Sequence, residues 1–181
     1  TSTALLAGTA DGIYSSVNQG QTWQRTNFVN GICSDILYFN DTLIVAYSVP
    51  SEDTTLSITS FDNGITWSSP SFISVSSFTT RNKLHHSGNN IIIESNYKYY
   101  ISIDFGTTWF TMPIPYGVSI YYIDFSENYL LMSALDSTLT HFGHLICDQG
   151  TLNWNLIDTT YLSSRAIIVD SVILIDHSDS L

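Results

Sequence analysis

The sequence predicts an all-β fold of four-stranded antiparallel units repeated along the chain, and three observations carry that prediction. A short turn motif recurs at near-constant spacing, each interval between copies holds four short strand-forming runs, and no interval shows helical periodicity. The motif stands at Ser16–Trp23 (SVNQGQTW), Ser60–Trp67 (SFDNGITW) and Ser102–Trp109 (SIDFGTTW), with a looser copy at Ile146–Trp154 (ICDQGTLNW). Its glycines fall at 20, 64, 106 and 150 and its tryptophans at 23, 67, 109 and 154, a period of 42 to 45 residues. Four strands in a period of that length make the blade of a β-propeller. A helical solenoid shares the period, but runs of five to seven β-branched and aromatic residues favour strands.

With strands named A to D from the axis outwards, the motif is the C–D hairpin. The chain opens on B (Ala4–Gly8), C (Ile13–Ser16) and D (Thr22–Thr26). Between the second and third copies the runs are A (Phe72–Phe78), B (Asn90–Ser95), C (Tyr99–Asp104) and D (Thr107–Thr111), and after Trp154 come A (Arg165–Val169) and B (Val172–Asp176). Residues 1–181 read as a single domain of about four blades, with one strand more than four blades need. Propellers often close by lending a late strand to the first blade, so Ala166–Val169 is expected to join the opening B, C and D strands. The spare run Val172–Ile175 then packs on a neighbouring molecule, or the chain is part of a larger propeller, or the phase is displaced by one strand. Unfinished terminal blades also permit strand addition between successive subunits, giving a head-to-tail polymer.

Bulk properties narrow the function. A chain of 181 residues, 44% hydrophobic, can bury a sizeable core as one domain. A net charge of -11 repels polyanions, which argues against nucleic-acid partners. Only 12% of residues are charged, so hydroxyls and amides must hydrate the surface, a balance commoner in secreted and cell-surface β proteins. Cys33 and Cys147 are compatible with one disulfide or with two separate buried thiols. No apolar run is long enough for a membrane span, and the chain begins at Thr1 with no basic-plus-apolar leader, as after leader removal or in a piece of something longer. Asn40-Asp41-Thr42 is an N-glycosylation acceptor in an A–B turn, permissive for a secreted protein.

The repeated octet resembles the Asp-box, or BNR repeat, Ser-x-Asp-x-Gly-x-Thr-Trp. The second and third copies match every fixed position; the first carries Asn18 for aspartate, and the fourth carries Ile146 for serine and an extra residue before Trp154. Families with this repeat include sialidases, sortilin-like receptor domains, some polysaccharide-degrading enzymes and photosystem assembly factors. The resemblance implies a structural hairpin. The residues assigned to it are Ser16, Asn18, Gly20 and Trp23; Ser60, Asp62, Gly64 and Trp67; Ser102, Asp104, Gly106 and Trp109; and Asp148, Gly150 and Trp154. The Asx side chain would accept bonds from turn amides, glycine would take positive φ, the hydroxyls would close further bonds, and tryptophan would plug between strands and blades.

Chemistry beyond this is sparse. Sialidases use an arginine triad, but here Arg25 and Arg165 are expected on the face of D–A and B–C loops and Arg81 on the motif face, so the three should not converge. Glu52 and Asp53 with Asp136, in B–C loops, are the candidates for a glycosidase acid pair, although as loop acids they carry no catalytic motif. His141 and His144 are three apart, which on a strand sends them to opposite faces, and His85-His86 are expected in an A–B loop, so no metal set forms. No nucleophile elbow, phosphate loop or dinucleotide fingerprint occurs, and no cofactor is implied. The candidate ligand face carries Glu52, Tyr97, Tyr116, Asp136 and Tyr161, suited to a glycan or peptide. The leading expectation is a non-catalytic extracellular structural or adhesive propeller, with itself, glycans or cell-surface proteins as partners. The alternatives are a glycoside hydrolase or glycan-binding protein of the Asp-box type, and an intracellular assembly factor.

Overall fold

A computed structural model describes residues 4–28, 31–75, 82–95, 98–115, 119–126, 128–135, 142–148, 151–160, 165–169 and 172–176. It is all-β apart from one 3-10 turn at Pro50–Glu52, and every paired strand is antiparallel to its neighbour. The first sheet has three strands, β1 (Leu5–Thr9), β2 (Gly12–Ser16) and β3 (Gln24–Arg25). Three four-stranded sheets follow in strict chain order. They are β4 (Ile32–Phe39) to β5 (Thr42–Val49), β6 (Thr54–Ser60) and β7 (Ser71–Val75); β8 (Lys83–Ser87) to β9 (Asn90–Ser95), β10 (Lys98–Ser102) and β11 (Phe110–Thr111); and β12 (Ser119–Phe125) to β13 (Tyr129–Leu135), β14 (Phe142–Asp148) and β15 (Asn153–Thr160). A two-stranded sheet, β16 (Arg165–Val169) with β17 (Val172–Asp176), ends the chain. These sheets are β-propeller blades, and each four-stranded one carries its motif where the third strand passes to the fourth.

The chain packs as two compact units, Thr1–His85 with Asn90–Thr111, and His86–Asn89 with Met112–Leu181. In the first unit the core is organised by β5, whose residues Thr42 to Ser48 are all buried. Alternation splits the strand between two neighbours. Ile44 and Ala46 pack with Ile91, Ile93 and Leu84 of the third blade, while Val45 and Tyr47 pack with Ile13 and Phe28 of the first. A second strand flanked by A and C in its own sheet and by blades on both faces has no polar side to show, so its sequence, TLIVAYSV, reads as a continuous apolar run. Each such isoleucine contributes about 1.5–3 kcal/mol relative to exposure. In the second unit Leu131 of β13 packs with Tyr129, Ile146 of β14 and Ile173 of β17.

Inner strands are also tied by polar bonds. A bulge between Cys33 and Asp35 turns Asp35 so that its carboxylate accepts from the amides of Ile36 (2.9 Å) and of Leu84 on the next blade (2.9 Å). Cys33 lies against Gly8, where a Cβ would stand 2.3 Å from Sγ, so the first blade tolerates no side chain there. Cys33 and Cys147 are free thiols, each pushed up to about 11 by burial.

Three expectations are corrected. The run beginning at Phe72 is not the A strand of the third blade: Ser71–Val75 pairs with β6 as the D strand of the second. Ser68 bonds Thr59 (2.8 Å), Pro70 has no N–H to continue the ladder, and pairing resumes at Ser71. The third blade's A strand is therefore β8, which places His85 and His86 within a strand instead of an A–B loop. Nor does Ala166–Val169 join the first sheet; β16 pairs with β17 across a two-residue connection. That local hairpin costs little loop-closure entropy, whereas pairing with β1 would have to close nearly the whole chain.

Candidate functional site

In the second motif Ser60, almost fully buried, accepts from the amides of Asp62 (3.3 Å) and Gly64 (2.8 Å) and donates to Asp62 Oδ1 (2.8 Å). Asp62 Oδ1 also accepts from the Thr66 amide (2.8 Å), and Oδ2 from the Thr66 hydroxyl (2.5 Å). Asn63 and Gly64 take φ of 59° and 85°, two left-handed residues in succession that reverse the chain. With the Thr66 hydroxyl as the chief donor, the Asp62 carboxyl is pushed down to about 2. The third motif repeats this: Ser102 serves Asp104 and Gly106 (3.4 and 2.8 Å), and Asp104 takes the Thr108 amide and hydroxyl (2.8 and 2.7 Å). Partial burial works against ionisation of Asp104, but the bonds from Thr108, Ser102 and Thr107 prevail and hold its carboxyl below the usual range.

The model of the BNR/Asp-box repeat family matches residues 58–69. The turn Ser60–Trp67 is an Asp-box. Among curated proteins none matches the sequence. Similar solved structures include YCF48 bound to D1 peptide (14% identity, TM-score 0.49, 92% of this chain and 53% of that one) and YCF48 from Cyanidioschyzon merolae (11%, 0.43, 93% and 77%). The Hadza microbial sialidase Hz136 is also similar (18%, 0.41, 95% and 41%). The chain spans about half the length of the first of these.

The two divergent Asp-boxes show which parts are interchangeable. In the first, Asn18 Oδ1 accepts from the Ser16 hydroxyl (3.0 Å) and the Thr22 amide (2.9 Å), but its Nδ2 donates to the Thr22 hydroxyl (2.8 Å), reversing the bond that an aspartate accepts. In the fourth, Ile146 has no hydroxyl for the turn amides, and the bend is held by Thr151 and Leu152 amides on the Asp148 carbonyl (3.3 and 2.9 Å). Its Gly150 lies outside the described residues.

Each tryptophan has a different fate. Trp109 lies against the second blade, its Nε1 donating to Ser57 Oγ (2.7 Å), and Ser57 in turn donates to the Gly106 carbonyl (3.0 Å). Trp154 donates to the Pro113 carbonyl (2.7 Å). Trp23 is 42% exposed. Trp67 packs against the first blade beside Ile13, and its Nε1 is buried without a partner.

Of the other candidates, Glu52 is exposed in the 3-10 turn, beside Asp53 in the left-handed region (φ 50°). Tyr97, Tyr116, Asp136 and Tyr161 lie outside the described residues, as do Arg81 and His141. Arg25 donates to the Asp11 carbonyl and flanks Gly12, tying the D strand to its own blade's B–C turn. Asn40 is exposed, at φ 47°, in the A–B turn. His144 is fully buried, with Nδ1 3.0 Å from Ser133 Oγ. Among the described residues no group of three metal-ligating side chains gathers, and no helix is long and apolar enough to cross a membrane. Chemically, the carboxylates of Asp62 and Asp104 each accept three hydrogen bonds from neighbours two to four residues away. Sequence reasoning missed Asp35, whose single signal was an acid in an apolar strand, and the role of Ser57 as acceptor for a tryptophan 52 residues on.

Proposed function

We propose that this chain is a non-catalytic structural or adhesive β-propeller module of the extracellular or cell-surface kind, which holds copies of itself through unpaired strand edges. One observation carries the reading: among the described residues β1, in the sheet β1-β2-β3, and β17, in the sheet β16-β17, each have a strand partner on one side only. Unpaired edges recruit strands. Val172 and Leu174 on β17 are more than half exposed, an apolar surface that a neighbouring strand would cover. The occupied Asp-box carboxylates support the non-catalytic part.

Light scattering coupled to size-exclusion chromatography should give a mass that rises with concentration in the micromolar range, and Leu174→Lys, which puts a charge on this exposed apolar surface, should return it to one chain. A concentration-independent monomer overturns the assembly reading. Release of sugar from a glycan panel, lost on Glu52→Gln, overturns the non-catalytic one. Sugar on Asn40, read as excess intact mass that Asn40→Gln removes, supports secretion.

A further inference from the structure

We infer that the crevice between the first and second blades, lined by Trp67, is a binding site for a small neutral molecule carrying a hydrogen-bond acceptor oxygen on an apolar body. Successive repeats differ at one position that matters to the indole. The residue three before the box serine is Ser57 in the second blade and Ile13 in the first. Ser57 accepts the indole hydrogen of the following Asp-box, Trp109. Ile13 sits where Ser57 would be and has no acceptor to offer, so the Trp67 donor is left buried and unpaired. Such a group is costly to leave unsatisfied.

Beside it lies a cavity of about 300 Å³, lined by the rings of Phe28, Tyr47 and Trp67, by Ile58, and by the hydroxyl-bearing Thr66 and Ser68. Phe28 and Tyr47 meet edge to face at 4.8 Å, each ring bracing the other. At roughly 30 Å³ per water the space would hold about ten waters, far more than one orphan donor needs. It lies at the small end of the ligand-pocket range, the size of a single ring. No charged side chain lines it, and a chain of net charge -11 disfavours anions, which leaves neutral ligands. An ether, ketone, ester or amide oxygen would accept from the indole while its ring lies against the aromatic walls.

The test uses the whole chain labelled with ¹⁵N at tryptophan, which gives one indole N–H signal for each of the four tryptophans. The Trp67 signal is identified by its loss in Trp67→Phe or, independently, by its contact with Gly64, which packs on that ring. Titration with N-methylpyrrolidone, a neutral ring bearing only an acceptor, should move the Trp67 signal saturably and leave Trp109 in place. Ligand-observed binding should weaken at least fivefold in Trp67→Phe. Equal drift of all four signals, or no saturation up to the millimolar range, overturns the proposal. These readouts do not depend on whether the chain assembles.

Discussion

The second and third Asp-boxes have the same residue at every fixed position and the same bonds among those positions, yet they are fastened to their neighbours in different ways. The third is anchored to the second blade by Ser57, which bonds both Trp109 and the Gly106 carbonyl, and by the Ser71 hydroxyl on the Thr107 carbonyl (2.7 Å). The second meets the first blade through apolar contact, Leu6 against Gly64 and Ile13 with Trp67, and its indole donor goes unmet. The hairpin is thus a local device, whereas the attachment of one blade to the next is set by whichever residue the preceding blade presents.

The largest break in this comparison should come from Trp109→Ala, which empties the contact with the second blade and costs about 3–5 kcal/mol in urea unfolding. Ser57→Ala should cost about 1–3 kcal/mol because it orphans the Trp109 donor, and Trp109→Phe less, because Ser57 still donates to the Gly106 carbonyl. Their double variant should cost less than the sum of the two, the sign of a shared bond. Trp67→Phe should lose almost nothing, since it discards a donor that has no acceptor; a loss equal to that of Trp109→Phe would mean that Trp67 is bonded after all.

Glycine substitution sharpens the contrast. At Gly106 (φ 81°) a Cβ would meet Ile44 Cγ2 at 3.2 Å, whereas at Gly64 (φ 85°) the nearest atoms, Trp67 Cζ2 and Leu43 Cδ1, lie at 3.4 and 3.6 Å. Both alanine variants should be destabilised by about 1 kcal/mol for their backbone, with the Gly106 variant the lower in urea midpoint.

Smallest is the acid response. Asp62 is held at about 2 against an ordinary 3.8, so its ionised form stabilises the fold above about pH 4, and that contribution is lost as pH falls through 2. Asp62→Asn should flatten the fall in thermal midpoint over this window, because an amide serves the same turn in the first Asp-box without titrating. Asn18→Asp should steepen it slightly. An identical acid profile in all three proteins would detach the boxes from acid stability.

The period of the tryptophan turns and the bounds of the terminal strands were legible because they depend on near neighbours. Arg165–Val169 and Val172–Asp176 were read to the residue, since a short apolar, β-branched run on each side of a tight connection leaves few alternatives. The run at Phe72 was misassigned because strand-forming residues look alike whichever blade claims them, and Pro70 decided the matter by delaying the pairing. His85 and His86 followed that error into a loop. The ligand-face reading relied on loop residues, where a sequence carries little periodic signal.

By itself, the sequence determined the Asp-box: hydroxyl, carboxylate or amide, glycine and threonine act over two to four residues, a distance the chain cannot avoid. Only the tertiary structure decided what each tryptophan finds. Ser57 and Ile13 occupy the same place in successive repeats, and nothing local says which one must accept an indole hydrogen from 52 residues away. Such a bond exists only when two blades come face to face, and its absence at Trp67 leaves a buried donor beside an open crevice.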